Sequence, residues 1–240
     1  MSVTPIIALD VPTAEDALEL VDYLGDSCRF YKVGNELFTA AGPGILRELV
    51  ARECDVFLDL KFHDIPNTVA GGVRNAARMG ARLVTVHASG GSAMLRAAVD
   101  AARQASGTDV AGDGCGVLAV TVLTSLAAAD VARAWGRGDG LEVADEVVRL
   151  ADLSSAAGVD GVVCSGREAS TVHERFGDRL AILVPGVRQA GAPKQDQARV
   201  VTVVEAISAG ARYVVVGRMV TAAPDRRAAM RQVVETVSAV

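Results

Sequence analysis

Asp59, Lys61 and Asp64 interrupt an otherwise apolar run, Asp55-Val56-Phe57-Leu58-Asp59-Leu60-Lys61-Phe62-His63-Asp64-Ile65-Pro66. The first part of this run reads as a strand buried on both faces, as in a parallel sheet. Side chains alternate along a strand, so Asp59 and Lys61 are expected on the same face. Asp64 follows where a turn must begin, and Pro66 suits the first turn of a helix. Negative, positive and negative charge are thereby gathered at the C-terminal end of one strand. Buried charge is costly unless it is paired or used. The cluster is therefore either a structural ion pair closing a barrel layer or a reaction site. A lysine held among carboxylates is a poor Schiff-base nucleophile. It is suited to stabilising a developing carbanion and to donating a proton to it. An aspartate beside such a lysine would crowd a substrate carboxylate, and loss of carbon dioxide would relieve that repulsion.

The elements that must position these groups alternate regularly. Strands are expected at Pro5–Asp10, Arg29–Gly34, the Asp55 run, Arg82–His87, Gly116–Leu123, Asp160–Cys164, Leu180–Val184 and Tyr213–Val216. Between them lie helical stretches, including Thr13 (as N-cap) to Leu24, 43–52, Pro66–Met79, Ser92–Gln104, 141–157, Glu168–Phe176, 199–209 and Asp225–Val237. Eight such units predict a parallel (β/α)8 TIM barrel, one domain over 1–240. A doubly wound open sheet shares the alternation, but no Gly-x-Gly-x-x-Gly follows the first strand.

Composition narrows the function classes. Half of the 240 residues are hydrophobic and aromatics are few, so the core must be built from Val, Ala, Leu and Ile. The net charge of −5, without a long basic run, does not favour nucleic acid or an anionic membrane as partner. No apolar stretch is long enough to span a bilayer. The four cysteines, Cys28, Cys54, Cys115 and Cys164, form no Cys-x-x-Cys pair and fit free thiols in a reducing cytoplasm. His63, His87 and His173 show no metal-ligand spacing.

In a barrel of this kind the active site lies at the C-terminal ends of the strands. The polar residues that fall there are Asp10, Lys32, Asp59, Lys61, His87, Thr121, Thr124, Ser165, Arg188 and, after Gly217, Arg218. Arg188 and Arg218 follow strands seven and eight, where many barrels hold a phosphate. Gly186 and Gly217 would let backbone amides approach that anion, and arginine supplies paired donors. The implied ligand is a small phosphorylated molecule with its reacting end near Lys61.

The run Asp59-Leu60-Lys61-Phe62-His63-Asp64-Ile65-Pro66-Asn67-Thr68 resembles the Asp-x-Lys-x-x-Asp-Ile signature of the orotidine 5′-phosphate decarboxylase family. The similarity extends along nearly the whole chain, through Ala8-Leu9-Asp10, Lys32-Val33-Gly34, Val120 to Ser125, Pro185-Gly186-Val187-Arg188, Asp196-Gln197 and Val216-Gly217-Arg218. The resemblance implies decarboxylation of orotidine 5′-monophosphate to UMP in pyrimidine biosynthesis, without metal or organic cofactor. It implies Lys61 as proton donor to C6 of the pyrimidine and Asp59 against the substrate carboxylate. Lys32 and Asp64 complete an alternating charge row, and Lys32 and Asp10 reach the ribose hydroxyls. Thr124 contacts the pyrimidine, and Arg188, Gln197, Gly217 and Arg218 grip or support the phosphate. The resemblance also implies a homodimer in which Asp64 and Thr68 serve the neighbouring subunit's site.

Two alternatives stand beside this reading. One is a metal-dependent sugar-phosphate decarboxylase or aldolase of the same suprafamily, in which the resemblance places an acidic residue instead of the strand-two lysine. Lys32 speaks against it, with Glu36 the nearest acidic candidate. The other is a non-catalytic barrel that binds a phosphorylated ligand, which would need no lysine buried between carboxylates.

Overall fold

The computed structural model describes residues 3–106, 114–138, 140–188 and 201–239. Eight parallel strands close into a barrel in sequence order: β1 (Thr4–Ala8), β2 (Phe30–Gly34), β3 (Asp55–Phe62), β4 (Ala81–His87), β5 (Gly116–Val120), β6 (Gly161–Val163), β7 (Ala181–Val184) and β8 (Tyr213–Val216). The ring is completed where β1 pairs with β8, Thr4 opposite Tyr213 and Ile7 opposite Val216. The expected (β/α)8 barrel is thus the observed fold.

The helices pack outside. They are α1 (Ala14–Leu24), α2 (Asn35–Ala41), α3 (Gly44–Ala51), α4 (Pro66–Arg78), α5 (Gly91–Ser106), α6 (Ala128–Trp135), α7 (Val143–Ala156), α8 (Gly166–Phe176), α9 (Val203–Ser208), α10 (Arg218–Thr221) and α11 (Arg226–Ser238). Local chemistry sets several of their starts. The Thr13 hydroxyl accepts from the Asp16 amide at α1. Thr202 and Glu205 cap each other at α9, the reciprocal pairing that satisfies two otherwise orphaned amides. Pro66 opens α4, where its missing N–H costs nothing. Between β2 and β3 the single helix expected at 43–52 is preceded by α2, separated from α3 by Gly42 at φ 65°.

Two apolar layers hold the barrel. The larger lies between strands and helices, with Ile7, Val33, Leu58, Val84, Val117 and Val216 facing α-helical residues such as Leu20, Leu46 and Met94. The smaller plugs the barrel interior and comprises Ile6, Ala8, Phe30, Phe57, Leu83, Leu118, Val120, Val163, Leu183 and Val215. Alternation along each strand sorts residues between the two layers, as Ile6 and Ile7 show. All four cysteines are buried free thiols, and burial pushes Cys28 up to about 11 and Cys115 up to about 12. Among the described residues no helix is long and apolar enough to cross a membrane.

Candidate active site

The register of the first three strands assembles the charged groups. Lys32 in β2 lies opposite Ala8 of β1 and Phe57 of β3, and Gly34 lies opposite Asp59. The Lys32 ammonium therefore reaches the Asp10 carboxylate just beyond β1 at 2.8 Å and faces the Asp59 carboxylate at 3.9 Å. Gly34 makes room for it: a Cβ there would lie 2.9 Å from Lys32 Nζ and 3.5 Å from Asp10 Oδ1.

Asp59 and Lys61 meet as expected, with Nζ 2.9 Å from Oδ1, but not because the strand is regular. The β3–β4 ladder runs from Leu58 opposite Val84 directly to Phe62 opposite Val86. Three residues of β3 thus face Thr85 alone, and Lys61 takes φ 52°, a left-handed conformation disfavoured for a residue with a Cβ. The irregularity re-aims the lysine, as bulges near functional sites do. Thr85 fills the gap. Its hydroxyl accepts from the Lys61 N–H at 2.9 Å and donates to Asp59 Oδ1 at 3.0 Å. Sequence reasoning passed over Thr85, because a threonine in a β-branched strand carries no signal of its own.

The resulting row within one chain is Asp10–Lys32–Asp59–Lys61, alternating in sign. It borders a cavity of about 420 Å³ at the C-terminal mouth of the barrel. Ala8, Phe57, Val120, Val163, Leu183 and Val215 of the interior plug form its apolar floor. Thr124, Arg188, Gly217 and Arg218 line the same cavity from beyond β5, β7 and β8. Gly186 has φ 67°, which a glycine alone adopts freely. The space above Gly217 is open, since a Cβ there would meet nothing within 4 Å. One wall thus offers alternating charge, the other two guanidinium groups, and the floor is apolar.

Other expected residues stand apart. Asp64 and Thr68 are exposed and do not line the cavity, and Asp64 accepts from the Ile65 amide at 2.6 Å. The Thr121 hydroxyl donates to the Val163 carbonyl, and Ser165 caps α8. His87 lies against His63, ring centroids 5.1 Å apart. Burial, reinforced by His63 and Lys61 and opposed by Asp59, holds the His87 imidazole below its ordinary range. Gln197 lies outside the described residues. A second cavity of about 610 Å³ opens at the N-terminal ends of the strands. Its lining includes Arg82, held by the Gly114 carbonyl, and Asp160, held by the Val117 amide.

Comparison with known proteins places the chain in a family. The sequence model described as "Orotidine 5′-phosphate decarboxylase / HUMPS family" matches residues 4–233. The chain belongs to this family. Family members named orotidine 5′-phosphate decarboxylase include a protein of Heliobacterium modesticaldum, 45% identical over 233 residues, covering 97% of this chain and 95% of that one. Another, from Alkalilimnicola ehrlichii, is 50% identical over 234 residues, covering 98% and 96%. Among solved structures, that of orotidine 5′-phosphate decarboxylase from Lactobacillus acidophilus superposes with a TM-score of 0.84 at 36% identity, covering 99% of each chain.

Proposed function

We propose that the protein converts orotidine 5′-monophosphate to UMP and carbon dioxide, a carboxy-lyase step in pyrimidine biosynthesis. The observation that carries this reading is the Lys61 ammonium, held 2.9 Å from Asp59 in a cavity that Arg188 and Arg218 also line. The two arginines take the 5′-phosphate, with Gly217 leaving space beside them and Gln197 as a further support. The pyrimidine lies over the apolar floor near Thr124, and Asp10 and Lys32 reach the ribose hydroxyls. The substrate carboxylate then sits against Asp59. When the C6–carboxylate bond breaks, its electron pair stays on C6. Lys61 stabilises that charge and gives its proton to C6, carbon dioxide leaves, and solvent restores the proton to the lysine. The side chain of Lys61 is 31% exposed, which gives solvent that access.

The scheme uses no metal and no organic cofactor. In the alternative within the suprafamily an acidic group would stand in place of Lys32. Here the gap between Asp10 and Asp59 is filled by an ammonium. We further infer a cytoplasmic homodimer in which Asp64 and Thr68 complete the partner's site. What supports this is their exposure outside their own chain's cavity, beside Ile65, an apolar side chain that is 67% exposed.

The test follows loss of the orotate absorbance with and without EDTA. Turnover unaffected by EDTA is expected, and Lys61→Ala should abolish it while circular dichroism reports an intact fold. Near-normal activity of that variant would rule out Lys61 as the donor.

A further inference from the structure

We infer that Thr85 is a positioning residue for the decarboxylation, acting through Lys61 and Asp59 without touching the substrate. The inference rests on the function proposed above. Thr85 sits in the middle of β4, is 1% exposed and does not line the cavity. Its hydroxyl nevertheless links both reacting groups. It accepts from the Lys61 backbone N–H and donates to Asp59 Oδ1, the same oxygen that accepts from Lys61 Nζ. The contacts form a closed loop: Lys61 N–H to Thr85, Thr85 to Asp59, and the Lys61 ammonium back to Asp59.

The loop answers a specific need. Where three residues of β3 face a single residue of β4, the regular ladder is interrupted. A left-handed lysine persists only where its surroundings over-determine it. The Thr85 oxygen supplies the missing acceptor for the lysine amide. The donated hydrogen fixes one lone pair of Asp59 and leaves the other oxygen facing Lys32, so the carboxylate cannot rotate without losing a bond. Anchored in a buried strand, the hydroxyl sets both the backbone path of the proton donor and the plane of its carboxylate partner.

The role belongs to the hydroxyl, not to the methyl group or the volume. Thr85→Val keeps the shape and removes both hydrogen bonds, Thr85→Ala removes them without crowding the core, and Thr85→Ser keeps them. Steady-state kinetics on orotidine 5′-monophosphate, normalised to folded protein, should show kcat of the Val and Ala variants falling by about 100-fold, the scale expected when a reacting group is misplaced by about 1 Å. KM should stay unchanged, because the phosphate contacts are remote. The Ser variant should recover most of kcat. Amide hydrogen exchange at Lys61 should be protected in the wild type and the Ser variant and fast in the Val variant. Wild-type kcat in the Val or Ala variant would overturn the role. So would a Ser variant as impaired as Ala, or a defect confined to KM. A wild-type protein inactive on this substrate would instead overturn the proposed function and the role with it, a result distinct from the three above.

Discussion

Lys61 carries a conformational load that two substitutions can separate from its chemistry. At φ 52° a side chain with a Cβ is disfavoured by about 1–2 kcal/mol, whereas glycine is not. Lys61→Ala and Lys61→Gly both remove the ammonium and its pairing with Asp59, so those losses cancel when the two variants are compared. Glycine loses an extra ~0.4–1 kcal/mol through the greater freedom of its unfolded chain. The net expectation is that Lys61→Gly is more stable than Lys61→Ala, by about 0.8 kcal/mol at the middle of a range of about 0–1.6 kcal/mol, the reverse of the ordinary strand preference. For a chain of 240 residues a difference near 1 kcal/mol moves the midpoint of thermal unfolding by about 2–4 °C. Urea and thermal unfolding at matched protein concentration would measure it, since an oligomer's apparent stability depends on concentration. An alanine variant as stable as the glycine variant, or more so, would refute the claim that the lysine backbone is held against its own preference.

Arg218→Ala should lower kcat/KM for orotidine 5′-monophosphate, through kcat as well as KM, because a grip on the remote phosphate supplies binding energy used at the reacting carbon; an equal defect with the dephosphorylated nucleoside would contradict that role. Subunit mixing of Lys61→Ala with Asp64→Ala should restore activity, because one site of the mixed dimer keeps every group, and no rescue despite proven mixing would argue against a shared site. His87 contributes a pH dependence of known sign. Its folded-state value lies below the ordinary 6.5, so the unfolded chain protonates first. That contribution to stability is complete above about 6.5 and declines as pH falls from there toward the folded-state value. His87→Gln should therefore flatten the acid side of a plot of unfolding midpoint against pH, and parallel plots for the two proteins would refute it.

The barrel was legible because its signal repeats: apolar strands alternate with helical stretches, and polar residues fall at or shortly after the strand ends. The pair Asp59 and Lys61 was legible for a weaker reason than the correct one. Alternation placed them together, while the structure brings them together through a bulge that alternation does not contain. Neither the left-handed lysine nor Thr85 could be read, because both depend on how β4 registers against β3. The first short helix after β2 escaped because it buries only Leu37 and ends at Gly42, leaving no amphipathic stripe. The strand expected at Gly116–Leu123 stops at Val120, which frees Val122, Leu123 and Thr124 to turn into the cavity wall. Proximity in sequence groups Asp64 with Asp59 and Lys61, but the turn before Pro66 carries it outward.

The side chains that cork the barrel are also the surface on which the bound ring would rest. Phe57, Val120, Val163, Leu183 and Val215 belong at once to the interior plug and to the cavity lining. Stabilising this protein by enlarging those residues would therefore raise the chamber's base and push a flat ligand toward the mouth. Trimming them would deepen the chamber at the expense of packing. At these positions packing and chamber depth change together, and neither can be tuned there alone.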